Sequence, residues 1–171
     1  MTSFSILKNS WTDGMETTFV VECDTEVVLV STIASISARR IEHPAGKSRV
    51  VSQLMRSYEG AVGIIDEDPN STQPPDIKRF KELEFSERHK IRILHDPQRN
   101  NRLVILCPRF EEWIIQAARE ANVNMNQYNL SDDPVELHEI INIKTKRLHD
   151  LIEELNQTSP RVKALRAFIR E

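Results

Sequence analysis

The chain has 171 residues, of which 39% are hydrophobic, so one ordinary domain can bury a core without disulfides. A net charge of −3 gives no general attraction to nucleic acid, and the apolar runs are too short to cross a bilayer. Residues 1–5 lack the basic and then apolar pattern of a signal peptide, so we expect a soluble cytoplasmic protein without a membrane segment. The two cysteines, Cys23 and Cys107, have no metal-ligand spacing and are not expected to form a disulfide.

The first part of the chain is predicted to begin with a strand or coil at residues 4–7 and to continue with a strand at 17–21. The second run is β-branched and apolar on both faces, which is typical of a central parallel strand. A crossover helix is expected to begin near Asp24 or Thr25, with a stripe of apolar residues over 27–34.

Two further strand-like runs follow, with a second helix between them. The strands are predicted at residues 39–43 and 61–65, and the helix runs from Lys47 or Ser48 towards Gly60, where the glycine ends it. Strands that alternate with crossover helices fold into a parallel sheet with right-handed connections.

The middle of the chain departs from this alternation. Residues 69–75 form a loop by composition, and the charged residues 76–90 are expected to form a short helix or a mobile lid. Two more strands are predicted at residues 91–94 and 103–107, joined by a hairpin loop at 96–101. This hairpin would make the sheet a mixed one.

The C-terminal part is predicted to be helical, with helices at residues 109–121, at 134–156 and from Pro160 onwards. The fold class is therefore α/β, a three-layer, Rossmann-like arrangement of a mainly parallel sheet flanked by helices. We expect this domain to occupy residues 1–121 and a C-terminal helical extension, residues 122–171, to pack on it.

Acidic residues follow two of the predicted parallel strands. Glu22 comes directly after the first strand, and Asp66 and Asp68 follow the third. The carboxyl ends of parallel strands meet at one edge of the sheet, where ligands bind in such folds. Oxygen ligands without histidine or thiolate suit a hard cation such as Mg²⁺. Three converging carboxylates repel one another, so the pattern predicts either a bound divalent cation or a carboxyl group that stays protonated.

This arrangement, Glu22 after one strand and Asp66-x-Asp68 after a later strand, resembles the TOPRIM domain of topoisomerases, bacterial primases and OLD-family nucleases. The resemblance covers about residues 17–108, and the segment 110–114 also looks like the helix start of small stand-alone TOPRIM-related proteins. The family usually has glycine directly after the glutamate, where this chain has Cys23.

The resemblance implies that Glu22, Asp66 and Asp68 are the metal-binding and catalytic residues, with Mg²⁺ or Mn²⁺ as the cofactor. Asp66 and Asp68 would be ligands, and Glu22 either a further ligand or the general base. The implied activity is that of a nuclease or another enzyme acting on phosphodiesters of nucleic acid. Because the chain lacks a basic excess, a protein partner that helps to hold the nucleic acid is also expected.

Several other residues are candidates for supporting roles. Lys47 lies after a glycine at a helix start and could contact a phosphate, while Arg39, Arg40 and Arg49 could hold a nucleic-acid backbone. Glu112, in the first turn of a predicted helix, is a candidate accessory acid. The five histidines show no nucleophile partner or metal spacing and are assigned no role.

Two other functions are open on the sequence. One is a non-catalytic TOPRIM-like module that binds a protein or nucleic acid, which the side chain of Cys23 in the glycine position motivates. The other is a phospho-accepting receiver domain, which has similar strand-end acids. A receiver needs a lysine at the end of its last strand, and residues 107–109 here read Cys-Pro-Arg.

Overall fold

The structure is a computed structural model that describes residues 16–170, so the strand or coil predicted at residues 4–7 lies outside the described residues. Its strands are, in chain order, β1 (Phe19–Val21), β2 (Ile41–Glu42), β3 (Val62–Asp66), β4 (Lys81–Ser86), β5 (Ile91–Asp96) and β6 (Asn101–Leu106). Its helices are α1 (Asp24–Ala34), α2 (Lys47–Arg56), α3 (Phe110–Glu120), α4 (Pro134–Ile141), α5 (Thr145–Thr158) and α6 (Pro160–Arg170).

The six strands form one mixed sheet in the order β2-β1-β3-β6-β5-β4. The first four in this order run parallel, and β5 and β4 are antiparallel to their neighbours. This confirms the predicted α/β fold with a mainly parallel sheet and an added hairpin. β1 and β3 are central because their apolar side chains are buried on both faces, as their β-branched runs require.

The prediction of a short helix or lid at residues 76–90 is wrong. A 3₁₀ turn, Pro75–Arg79, leads into strand β4, which pairs antiparallel with β5. The strand was hard to recognise because it lies at the edge of the sheet and is exposed on both faces, so its side chains show no buried face. Charged side chains of this kind protect an edge strand from pairing with other chains.

The single helix predicted at residues 134–156 is also wrong, because the chain forms α4 and α5 with a break between them. At the break the side-chain Nδ2 of Asn142 donates to the carbonyl of His138, and Ile143 is exposed. The apolar pattern continues across the break because both helices bury one face. The predicted strand at 39–43 is likewise shorter than expected, since residues 38–40 form a 3₁₀ turn before β2.

Helices cover both faces of the sheet, which gives the three layers. One apolar core joins α1 and α3 to β1, β3, β5 and β6, and it includes the buried faces of α4, α5 and α6. The other core lies between α2 and the opposite face of the sheet. The helices after residue 121 therefore share a core with the sheet. Between residues 16 and 170, none of the helices combines the length and the apolar character that crossing a bilayer demands.

Two contacts place the start of α2 beside the end of β1: the close packing of α2 on the neighbouring strand β3, and a hydrogen bond to Glu22. A Cβ atom at Gly63 would lie 2.5 Å from Leu54 Cδ1, so any other residue here would displace the Leu54 side chain. At the start of α2 the amide of Gly46 donates to the carbonyl of Glu22 at 3.2 Å. The helix is thereby anchored next to the first of the predicted site residues.

Candidate metal centre

Glu22 follows β1 and carries a buried oxygen without a partner. Its Oε2 atom is shielded from solvent and forms no hydrogen bond within the described part of the chain. Burial and the nearby charge of Asp66 raise the pKa of Glu22, while the ammonium group of Lys47 and a backbone hydrogen bond from Asp66 oppose this. A buried carboxylate oxygen without a donor is stabilised by a proton or a cation.

Asp66 is the last residue of β3 and points to the start of α3. Its Oδ2 atom accepts a hydrogen bond from the backbone amide of Phe110 at 3.4 Å. Burial raises the pKa of Asp66, and the amide of Phe110 and the charge of Lys47 offset part of this effect. The carboxylate thus lies at a helix N-terminus, where the backbone dipoles favour negative charge.

Asp68 occupies a left-handed conformation with φ of 38°. Aspartate and asparagine tolerate this region better than other residues with a side chain. The amide of Asp68 donates to the carbonyl of Pro108 at 2.6 Å, and the amide of Glu67 donates to the carbonyl of Leu106 at 2.8 Å. These bonds fix the loop after β3 against the end of β6.

The fold brings the three predicted acids to one cleft of about 520 Å³ at the carboxyl ends of β1 and β3. The charges of Asp66 and Asp68 both raise the pKa of Glu22, which reflects their proximity. Between residues 16 and 170, a closer cluster of potential ligand atoms, all within 4.8 Å of one another, is formed by His149, Asp150 and Glu153. That cluster lies on α5, where Lys146 already pairs with Asp150.

The acids of the cleft are therefore spaced more widely than in a closed metal cage, and side-chain rotation would be needed to bring them onto one ion. The exposed cluster on α5 lacks the burial that makes the acids of the cleft unusual. We take the cleft as the candidate site.

Glu26 is a further acid of this site that the sequence patterns did not single out. It is 1% exposed, and its Oε2 atom accepts hydrogen bonds from the amide of Cys23 at 2.9 Å and from the thiol of Cys23 at 2.8 Å. Burial raises the pKa of Glu26, and the charges of Glu22 and Asp66 add to this. One signal in the sequence could have identified Glu26: it is the third residue of the predicted helix. A glutamate at this position often accepts a hydrogen bond from the backbone of the residue that caps the helix.

Cys23 does not distort the turn in which the TOPRIM pattern has glycine. Its φ of −152° is an extended conformation that any residue can adopt. Its thiol donates to Glu26. Burial and the neighbouring charge of Glu26 raise the pKa of this thiol to about 12, which favours the neutral thiol over a nucleophilic thiolate.

The far side of the cleft is formed by the start of α3 and by α4, which we call the α3–α4 wall. Glu112, the predicted accessory acid, is 30% exposed and forms a bidentate pair with Arg109. Glu111 is only 12% exposed and bonds to His138 Nδ1 at 2.6 Å, and its charge contributes to the raised pKa of Asp66. Both glutamates line the cleft, and Glu111 is the more buried.

The opposite side is formed by the start of α2, which we call the α2 wall. Lys47, Arg49, Ser48 and Ser71 line a second cleft of about 430 Å³, which Glu22 and Asp68 also border. The acids thus lie between two clefts, one lined by the α2 wall and the other by the α3–α4 wall.

The structure does not bring Arg39 and Arg40 to this site. Both lie in the turn before β2, at the amino ends of the parallel strands, whereas Glu22 and Asp66 lie at the carboxyl ends. Arg40 pairs with Glu16 instead. Of the four basic residues that the sequence singled out, only Lys47 and Arg49 are neighbours of the acids.

Comparisons of the chain with protein-family models, with curated proteins and with solved structures find no match. The chemistry of the cleft is therefore inferred from its own residues.

Proposed function

We propose that this chain is a TOPRIM-type enzyme that uses Mg²⁺ or Mn²⁺ to act on phosphodiester bonds of nucleic acid, with Glu22, Asp66 and Asp68 as metal ligands. The observation that carries this proposal is the buried, unpaired Oε2 atom of Glu22 beside Asp66 at the ends of adjacent parallel strands. Gln53 and His89 also carry a buried atom without a partner, but among these three residues of the described chain only Glu22 is a carboxylate, and it lies beside the charges of Asp66 and Asp68.

The residues of the cleft fit a hard cation. The donors that converge from the two strand ends are carboxylate oxygens, which Mg²⁺ and Mn²⁺ prefer. The neighbouring thiol of Cys23 is occupied by Glu26 and does not add a soft ligand. Bound at these carboxylates, the ion would stabilise negative charge on a phosphoryl group.

The protein side chains supply the remaining functions. Glu22, where it does not bind the ion itself, is the candidate general base that takes a proton from water or from a hydroxyl group. Arg109 lies at the mouth of the cleft, where Glu112 holds its guanidinium group in one orientation. A guanidinium group fixed in this way binds phosphate oxygens through paired hydrogen bonds.

Few cations surround the site, and the chain as a whole has a net charge of −3. A protein partner that contributes basic surface would therefore strengthen the hold on nucleic acid. The alternative of a non-catalytic module was motivated by Cys23. Its extended backbone and its bond to Glu26 are compatible with an active site, which supports the enzymatic proposal over this alternative.

The test is cleavage of labelled DNA and RNA, single- and double-stranded, with Mg²⁺ or Mn²⁺. We expect Asp66→Asn and Asp68→Asn to lower the rate by at least ~100-fold. Asparagine is preferable to alanine at position 68 because it tolerates the left-handed backbone. Glu84→Gln, on the exposed edge strand β4, is the matched control and should retain the wild-type rate. Absence of cleavage by the wild-type protein with every substrate and both metals would refute the proposal.

A further inference from the structure

Lys47 does not extend into solvent, as a phosphate-binding lysine at a helix start would. It is 7% exposed, and its Nζ atom donates to the carbonyl of Glu67 at 2.7 Å and to Ser71 Oγ at 3.3 Å. Both acceptors belong to the loop that carries Asp68. The ammonium group is thus directed at the backbone around a predicted metal ligand.

The same loop is held by two other side chains. Ser71 Oγ donates to the carbonyl of Asp68 at 2.9 Å. Gln73 Nε2 donates to the carbonyl of Glu67 at 3.0 Å and to that of Asp68 at 3.1 Å. Among these donors Lys47 alone comes from outside the loop and carries a charge. It therefore links the loop to α2.

The helix that carries Lys47 is also bound to the other acid-bearing strand. The amide of Gly46 donates to the carbonyl of Glu22, and Lys47 is the next residue along the chain. Two successive residues of the α2 wall thus contact the backbone at Glu22 and the backbone beside Asp68. This bridge runs between the ends of β1 and β3 on the side away from α3.

We propose that Lys47 is a positioning residue that sets Asp68 relative to Glu22 through the carbonyl of Glu67 and the hydroxyl of Ser71. The left-handed backbone of Asp68 persists only where surrounding contacts determine it, and Lys47 supplies one such contact from a rigid helix. The role of the lysine in metal binding rests on the proposed function, whereas its hold on the loop does not.

The direction in which metal affinity changes when Lys47 is removed distinguishes a positioning role from that of a nearby positive charge that orients no ligand. A lysine that is merely close to a cation site repels the cation, so its removal should tighten metal binding. A lysine that positions a ligand has the opposite effect, because its removal leaves the ligand misplaced. Loss of a residue that orients a metal ligand typically weakens affinity by ~10–100-fold.

The experiment uses the full chain and compares Lys47→Met with Arg49→Met. Both substitutions remove one positive charge from the first turn of α2, but Arg49 bonds to the carbonyl of Pro44 rather than to the loop. We expect Lys47→Met to weaken Mn²⁺ binding by ~10-fold in calorimetry or in electron paramagnetic resonance titration. Arg49→Met should leave Mn²⁺ binding equal or slightly tighter. Lys47→Arg should restore part of the affinity.

Amide hydrogen exchange provides a readout that does not depend on metal. Exchange at residues 68–73 should accelerate in Lys47→Met and stay unchanged in Arg49→Met. Ser71→Ala keeps the charge of Lys47 but removes one of its acceptors together with the bond from Ser71 Oγ to the carbonyl of Asp68, and it should shift both readouts in the same direction by a smaller amount. This variant serves if Lys47→Met does not fold.

Unchanged loop exchange together with equal or tighter Mn²⁺ binding, in Lys47→Met or in Ser71→Ala, would overturn the proposal. Failure of the wild-type protein to bind Mn²⁺ would instead count against the proposed function. In that case the exchange measurement would still decide whether Lys47 holds the loop.

Discussion

The α2 wall and the α3–α4 wall enclose the same acids but differ in charge and in construction. The α2 wall presents Lys47 and Arg49 and is packed directly on β3. The α3–α4 wall presents Glu111 and Glu112, which already bond to His138 and to the guanidinium group of Arg109. The α2 wall therefore bonds to the backbone that carries the acids, through Gly46 and Lys47, whereas the α3–α4 wall lines the cleft mainly with side chains.

The largest expected effect concerns the acid between both walls. Glu22→Gln should weaken Mn²⁺ binding by at least ~100-fold, since it removes a charged oxygen from the ligand set. The same change should raise the thermal midpoint of the metal-free protein at pH 7. A carboxyl group with a raised pKa in the folded state costs stability once the pH exceeds its ordinary pKa, and glutamine carries no such charge.

Calorimetry with Mn²⁺ and thermal unfolding monitored by circular dichroism measure these two changes. Glu42→Gln, on the neighbouring strand β2, is the control and should change neither. Retention of Mn²⁺ affinity in Glu22→Gln would remove this residue from the ligand set.

Arg109 tests whether the α3–α4 wall contacts the substrate. Arg109→Gln should lower the cleavage rate by ~10-fold while leaving Mn²⁺ affinity within about 2-fold, because its guanidinium group would act on phosphate rather than on the metal ligands. Arg119→Gln, at the exposed end of the same helix, is the matched control. A parallel loss of rate and Mn²⁺ affinity in Arg109→Gln would show that the arginine instead supports the metal site.

Glu26 gives the protein a predictable pH dependence of stability. Burial raises its pKa in the folded protein to about 8, whereas its ordinary value is 4.5. Between these values the folded state binds more protons than the unfolded state, so the free energy of unfolding falls as the pH rises through this window. We expect Glu26→Gln to flatten this fall by at least about 1 kcal/mol, and by up to about 3 kcal/mol for the full pKa shift, measured by urea unfolding at pH 5 and pH 8.

The exposed Glu59 provides the control for this measurement, because Glu59→Gln should leave the pH dependence as in the wild-type protein. An undiminished fall in Glu26→Gln would assign the pH dependence to Glu22 and Asp66, whose pKa values are raised in the same direction.

The smallest expected effect concerns the contact between α3 and α4. His138 is 65% exposed, so its pair with Glu111 should contribute less than about 1 kcal/mol, and His138→Ala should change the thermal midpoint only slightly. Its effect should appear instead as faster amide exchange in α4. Exchange as slow as in the wild-type protein would mean that the buried Leu137 and Ile141 hold α4 without this pair.

The parallel centre of the fold could be predicted because β1 and β3 are buried on both faces, which leaves a continuous apolar run that ends in acid. Edge strand β4 could not, since no buried face imposes an alternating pattern on its charged side chains. The buried strands could thus be recognised from the sequence, and the exposed edge strand could not.

The candidate site also contains contacts that could be predicted from the sequence and contacts that could not. The proximity of Glu22, Asp66 and Asp68 could be predicted because they lie at the carboxyl ends of neighbouring parallel strands. The contact between Glu111 and His138 could not, because it depends on how α4 packs against α3. Lys47 was recognised as a candidate, but its inward direction depends on the loop from Glu67 to Ser71 lying over the start of α2.

Gly63 gives the core a direct influence on this chemistry. Because α2 contacts β3 where a methyl group would meet the ends of the Leu54, Leu103 and Val50 side chains, alanine at this position would force these side chains to repack. Leu54 and Val50 belong to α2, so any shift of the helix in that repacking would lengthen the distance between Lys47 and the loop it holds. A residue inside the protein that contacts neither the acids nor Lys47 can thus alter the cleft beside Glu22 and Asp68.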